Sequence, residues 1–137
     1  MKISNIYMLL LVLIITAGCA TAQPLPSSTT NNKKAKGYYE EGEKLLAYRD
    51  YLQALEMAQK AIDKDGKYID AWMLKADILD KMGKKEEAWN ALKEVEKINP
   101  EYSIVYLLLA EYGLNYGKYK EATQYADKFL TYSGIPD

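Results

Sequence analysis

From residue 35 onward the apolar residues return at helical spacing. Trp72, Ala76, Leu79 and Met82 fall on one side of a helix, and Ala88, Leu92, Val95 and Ile98 fall on one side of another. Between the two stripes stands Met82-Gly83-Lys84-Lys85, whose glycine can take the left-handed conformation that ends a helix. Each stripe predicts a helix of about 14 residues, or ~21 Å. Neither helix buries its stripe alone, so the two must pack as a hairpin, and one hairpin must stack on the next.

The pattern recurs at an interval of 34. Ala54, Ala88 and Ala122 are so related, as are Gly42, Ala76 and Ala110, and the aromatic residues Tyr38, Trp72 and Tyr106. The turn glycines Gly83 and Gly117 and the breakers Gly66, Pro100 and Gly134 keep the same register. A fixed period in this range is the mark of a repeat array. The two columns of alanine and glycine let paired helices approach closely, and the aromatic column fills the wider gaps between them.

The first part of the chain has a different pattern. Residues 6–15, IYMLLLVLII, form an apolar run after Lys2, the only charge in the first 32 residues. The run is too short to span a bilayer as a helix, which takes ~20 apolar residues. A basic start, a short apolar centre and a small-residue end predict an export signal over residues 1–18. Residues 19–34 are rich in Pro, Ser, Thr and Asn and too poor in large apolar residues to offset their ordering entropy, so they predict a flexible tether. The array then occupies residues 35–136 as repeats 35–68, 69–102 and 103–136.

Composition narrows the chemistry. The net charge is −1, and every basic residue but Arg49 is a lysine spread among acids, which gives no basic face for nucleic acid. Histidine is absent and Cys19 is the only cysteine, so the usual metal ligands and the commonest general base are missing. A lone thiol also has no partner for a disulfide within the chain. Carboxylates alone can hydrolyse glycans. Asp77 and Asp80, three apart on one helical face, are the one pair to consider, but such pairs are ordinary on exposed helices. The chain is therefore expected to be no enzyme and to need no cofactor or metal.

Thr16-Ala17-Gly18-Cys19 resembles the lipobox of bacterial lipoproteins, with Thr16 in a place that is usually aliphatic. The resemblance implies lipidation of Cys19, and Ala20 after it resembles the pattern of lipoproteins sent on to the outer membrane. The alternative is ordinary cleavage after Ala20-Thr21-Ala22, which leaves a soluble periplasmic or secreted protein starting at Gln23.

Residues 35–136 resemble three tandem tetratricopeptide repeats, an all-α fold. Trp72, Lys75, Ala76, Leu79, Gly83, Ala88, Leu92, Val95 and Pro100 match the signature places in the second copy. Tyr106, Leu109, Ala110, Gly117, Tyr119, Ala122, Ala126 and Phe129 do so in the third. The first copy departs from the signature at Arg49, where the turn glycine belongs, and at Gly66, where proline is common.

This resemblance implies a short right-handed solenoid whose concave surface, formed by the first helix of each repeat, holds a peptide or partner protein. Carried over place by place, that surface presents Lys36, Tyr39, Glu43, Leu46 and Ala47 from the first copy. The second adds Asp70, Met73, Asp77, Asp80 and Lys81, and the third Ile104, Leu107, Glu111, Leu114 and Asn115. The acids favour a ligand with lysine or arginine, and Tyr39, Met73 and Leu107 offer adaptable apolar contact. The lysine and asparagine clamp with which some family members hold an acidic C-terminus is missing. The expected role is a non-enzymatic adaptor or assembly factor, lipid-anchored in a bacterial envelope. The alternatives are a self-associating structural component, joined through a last helix that leaves Tyr125, Phe129 and Tyr132 partly exposed, or the front segment of a larger envelope protein.

Overall fold

Six helices run through residues 29–134, the part of the chain that the computed structural model describes. They are α1 (Lys33–Ala47), α2 (Tyr51–Lys64), α3 (Ile69–Lys81), α4 (Lys85–Ile98), α5 (Ser103–Asn115) and α6 (Tyr119–Ser133). There is no strand among the described residues. The residues expected to form the export signal, Cys19 and most of the tether lie outside that range.

Local chemistry starts and stops these helices. Asn32 caps α1, its side-chain oxygen accepting from the amides of Lys34 and Ala35 at 3.0 and 3.2 Å, and Asp50 caps α2 by accepting from the Gln53 amide at 3.2 Å. Inside each hairpin the chain reverses through a left-handed residue: Arg49 at φ 61°, Gly83 at 74° and Gly117 at 77°. Arg49 closes its turn with the same pair of backbone bonds as the glycines. Arg49 and Asp50 donate to Leu46 and Leu45, as Gly83 and Lys84 do to Asp80 and Leu79. A side chain in this conformation is strained by roughly 1–2 kcal/mol, and the hairpin's packing outweighs that cost.

The turns between hairpins are also periodic. Asp65 and Asn99 each accept from the amide two residues on, at 3.1 Å, and the buried tyrosines Tyr68 and Tyr102 follow three residues later. Six residues past each turn breaker an aromatic side chain donates back to it: Trp72 Nε1 to the Gly66 carbonyl at 2.9 Å, and Tyr106 Oη to the Pro100 carbonyl at 2.5 Å. Trp72 and Tyr106 thus tie α3 and α5 to the loops that precede them.

The apolar stripes meet as the period requires. Ala54, Ala76 and Ala88 are wholly buried, with Gly42, Ala110 and Ala122 nearly so, and Ile78, Leu79, Leu92, Val95 and Leu109 fill the core around them. Burying each of those larger side chains contributes about 1.5–3 kcal/mol. One expectation is corrected: Tyr125 is buried, not exposed, because Trp89 meets its ring edge-on at 5.6 Å and Tyr106 stacks on it at 6.2 Å. Phe129 is half-buried, and Tyr132 keeps 46% of its surface open.

Candidate functional site

Stacking sets α1 beside α3, and α3 meets α5 through side chains such as Asp80 and Tyr116. Between α1 and α3 this leaves an open hollow of about 380 Å³. Tyr39, Glu43, Leu46 and Ala47 wall it from α1, and Asp70, Met73, Leu74 and Asp77 wall it from α3. Residues four apart lie one turn above another on a helix, which is how Tyr39 and Glu43, or Met73 and Asp77, come to share one face. The floor is apolar, from Leu46, Met73 and Leu74, and the carboxylates stand at its edges.

Several of those edge groups are already engaged. Tyr39 Oη donates to Glu43 Oε1 at 2.7 Å, and its ring lies 5.3 Å from that of Tyr68. Burial, and then this hydrogen bond to a carboxylate, push the Tyr39 phenol well above its ordinary pKa. Burial and the nearby Asp70 carboxylate push Tyr68 up to about 12. Lys81 Nζ sits 3.0 Å from Asp77 Oδ1, and that hydrogen bond raises the lysine. Both phenols therefore stay protonated at neutral pH, and the hollow keeps a net negative rim from Glu43, Asp70 and Asp77.

The remaining expected residues fall elsewhere. Lys36 is exposed and reaches Glu40 at 3.8 Å. Asp80 turns to the next seam, where its Oδ1 accepts from Tyr116 Oη at 2.6 Å. Ile104 is half-buried and packs with Met73 against the main core. Leu107, Glu111, Leu114 and Asn115 are exposed on the far side of α5, where no further helix walls them in among the described residues. Asp77 and Asp80 thus have different bonded partners, Lys81 for the one and Tyr116 for the other.

Three residues were not singled out from the sequence. Leu74 floors the hollow while packing in the core, and Tyr112 and Tyr116 fill the seam between α3 and α5 with rings 5.4 Å apart. Their signal was present as two tyrosines four apart, opposite Asp80 one repeat earlier. No group of His, Cys, Asp and Glu among the described residues is arranged to hold a metal ion. No described helix is long and apolar enough to cross a membrane.

Comparison with known proteins agrees with this architecture. Residues 45–112 match the family model described as tetratricopeptide repeat. No curated protein sequence matches the chain. Among solved structures, MamA is 24% identical with a TM-score of 0.68 over 78% of this chain, and the chain spans 60% of that protein's length. The second such repeat domain of Spaghetti, bound to the HSP90 peptide SRMEEVD, is 22% identical with a TM-score of 0.65, over 72% of this chain and 92% of that one. The Sgt2 repeat domain of Aspergillus fumigatus is 19% identical with a TM-score of 0.70, over 80% and 72%. Identities this low carry the fold and no more.

Proposed function

We propose that this chain, a tetratricopeptide repeat protein by the match over residues 45–112 and by its fold, is a non-enzymatic module that holds a peptide segment in the hollow between α1 and α3. The observation that carries this reading is the lining itself. Leu46, Met73 and Leu74 take a large apolar side chain, and Glu43, Asp70 and Asp77 around them favour lysine or arginine beside it. A solved relative of this fold holds the acidic peptide SRMEEVD, which this acidic rim would repel.

The test is selection from a random peptide library against the purified protein. Selected peptides should combine a large apolar residue with Lys or Arg, and Met73→Glu should weaken their binding at least tenfold. Leu130→Glu, on α6, should leave it unchanged, and SRMEEVD should not bind. Acidic selected peptides, or full affinity in the Met73→Glu protein, would sink the reading.

The same proposal has the module exported and lipid-anchored through Cys19 at the outer membrane, facing the periplasm, as an adaptor or assembly factor. Its support is the apolar run and the Thr16-Ala17-Gly18-Cys19 sequence. The intact mass of the protein from its native bacterium, with membrane fractionation, decides it. A mass starting at Cys19 plus lipid is the expected result, and a soluble form starting at Gln23 would overturn the anchor.

A further inference from the structure

Each first helix after α1 seats in a groove made by the hairpin before it. α3 enters the first groove with Ala71, Leu74 and Ile78, which are buried in clusters shared with Ala58 and Ile62 of α2 and with Tyr39 and Leu46 of α1. From the same face Lys75 Nζ donates to Gln59 Oε1 at 2.8 Å. The receiving positions can be carried forward by two repeats, to the end of the array. There Leu107 and Leu114 on α5 replace Tyr39 and Leu46, and Ala126 and Leu130 on α6 replace Ala58 and Ile62.

The seat is thus chemically retained, but no described helix fills it. Leu107, Leu114 and Leu130 are 48%, 58% and 49% exposed, whereas Ile62, the counterpart of Leu130, is 6% exposed. The place of Gln59, which meets the lysine of the seated helix, is taken at the end by Asp127. A carboxylate there would hold an incoming cation more strongly than an amide does.

A second copy docked head to tail is a poor occupant. The face that α1 would present, at the places of Ala71, Leu74, Lys75 and Ile78, is Gly37, Glu40, Glu41 and Lys44, all exposed. Docking would bury Glu40 in an apolar seat and set Glu41 against Asp127. A two-fold arrangement would bring one patch against itself, with Glu111 and Asp127 on both sides.

We infer that the end face of α5 and α6 is a docking seat for an amphipathic helix of a partner protein. That helix presents a small residue, a large apolar residue three positions on, a lysine or arginine next to it, and a second large apolar residue three positions after that. The spacing is that of Ala71, Leu74, Lys75 and Ile78, and the cation meets Asp127. The seat is separate from the α1–α3 hollow, so it stands or falls without the groove reading.

The probe is a capped synthetic peptide of residues 68–82, which carries this face, titrated into the isotope-labelled protein. The amide resonances of Leu107, Leu114, Ala126 and Leu130 should shift, and Leu130→Glu in the protein should weaken binding at least tenfold with an unchanged circular dichroism spectrum. Lys75→Glu in the peptide should weaken it about threefold or more, and Asp127→Lys in the protein should restore that loss. Met73→Glu in the protein should have no effect on this binding. No shifts at about 1 mM peptide, or shifts confined to α1 and α3, would overturn the seat. So would a concentration-dependent dimer of the protein alone that Leu130→Glu dissolves, since a second copy would then own the face.

Discussion

The seam between the first two hairpins and the seam between the last two are built on one register, yet different side chains fill them. Into the first seam α3 brings Leu74, Ile78 and Met82, and a hollow remains beside Tyr39 and Met73. Into the second, α5 brings Leu108, Tyr112 and Tyr116 at the same places. The two phenol rings pack together, and Tyr116 bridges the seam by its hydrogen bond to Asp80, where the first seam has Leu46. The outer side differs too. Glu96, at the place of Ile62, is pinned between Lys93 at 2.8 Å and Lys128 at 2.6 Å, and Lys128 also lies over the rings of Tyr106 and Tyr125. The repeat period sets where helices lie, while side-chain size and charge at a few places per seam set how it is filled and fastened.

The largest break in this comparison should come from Tyr112→Ala. Tyr112 is half-buried between α3 and α5, and deleting its ring should leave a cavity and cost about 2 to 3 kcal/mol in urea unfolding. Tyr39→Ala, in the hollow already open, should cost about half as much. Equal losses would mean that Tyr112 does not fill the seam.

Two glycines sharpen the contrast. A methyl group on Gly113 would lie 2.9 Å from Ala122 Cβ and 3.2 Å from its Cα, so the backbone of α6 would have to shift. A methyl group on Gly42 would meet the mobile end of Leu74, at 3.0 Å from Cδ2. Overpacking costs about 1 to 3 kcal/mol, while replacing a helix glycine by alanine returns about 1 kcal/mol. Gly113→Ala should therefore be destabilising by about 1 to 2 kcal/mol, and Gly42→Ala close to neutral or slightly stabilising. Thermal unfolding of the two variants side by side measures the difference, and a stabilised Gly113→Ala protein would show that the third hairpin has slack.

The architecture was legible because its determinants repeat. Ala54, Ala88 and Ala122 announce close helix contact only when seen together, and the period also marks the turn at Arg49, although its side chain argues against it. The arrangement of Tyr39, Glu43, Leu46, Asp70, Met73 and Asp77 around one space followed from the same carrying of positions from copy to copy. What the period cannot express is departure from itself. Tyr112 and Tyr116 stand where the second copy has Ile78 and Met82, so the period gives no sign of the residues that fill the second seam. Leu107, Glu111, Leu114 and Asn115 hold groove positions by register, but among the described residues no helix faces them across a hollow. Tyr68 and Tyr102 recur 34 apart yet fall at helix starts, outside any stripe, and their burial became visible only with the loops in place.

The smallest expected effect tests the outer lock of the second seam by pH. Burial opposes ionisation of Glu96, but hydrogen bonds from Lys128 and Lys93 outweigh it and hold the carboxyl below its ordinary value of 4.5. A carboxyl with a depressed folded-state pKa contributes stability that is fully present above the unfolded value and is lost as pH falls through the folded one, because the unfolded chain binds the proton first. Between about pH 6 and pH 3 the protein should therefore lose stability that the Glu96→Gln variant does not lose, by under about 1 kcal/mol for a pair still open to solvent. The first seam has Ile62 at that place and offers no carboxyl to titrate there, so the acid-sensitive increment belongs to the second seam alone. Urea unfolding of both proteins at the two pH values reads it directly. Identical acid losses would mean that the Lys93–Glu96–Lys128 cluster contributes no ionic fastening, and that the aromatic cluster of Trp89, Tyr125, Tyr106 and Tyr132 holds the last hairpins together by packing alone.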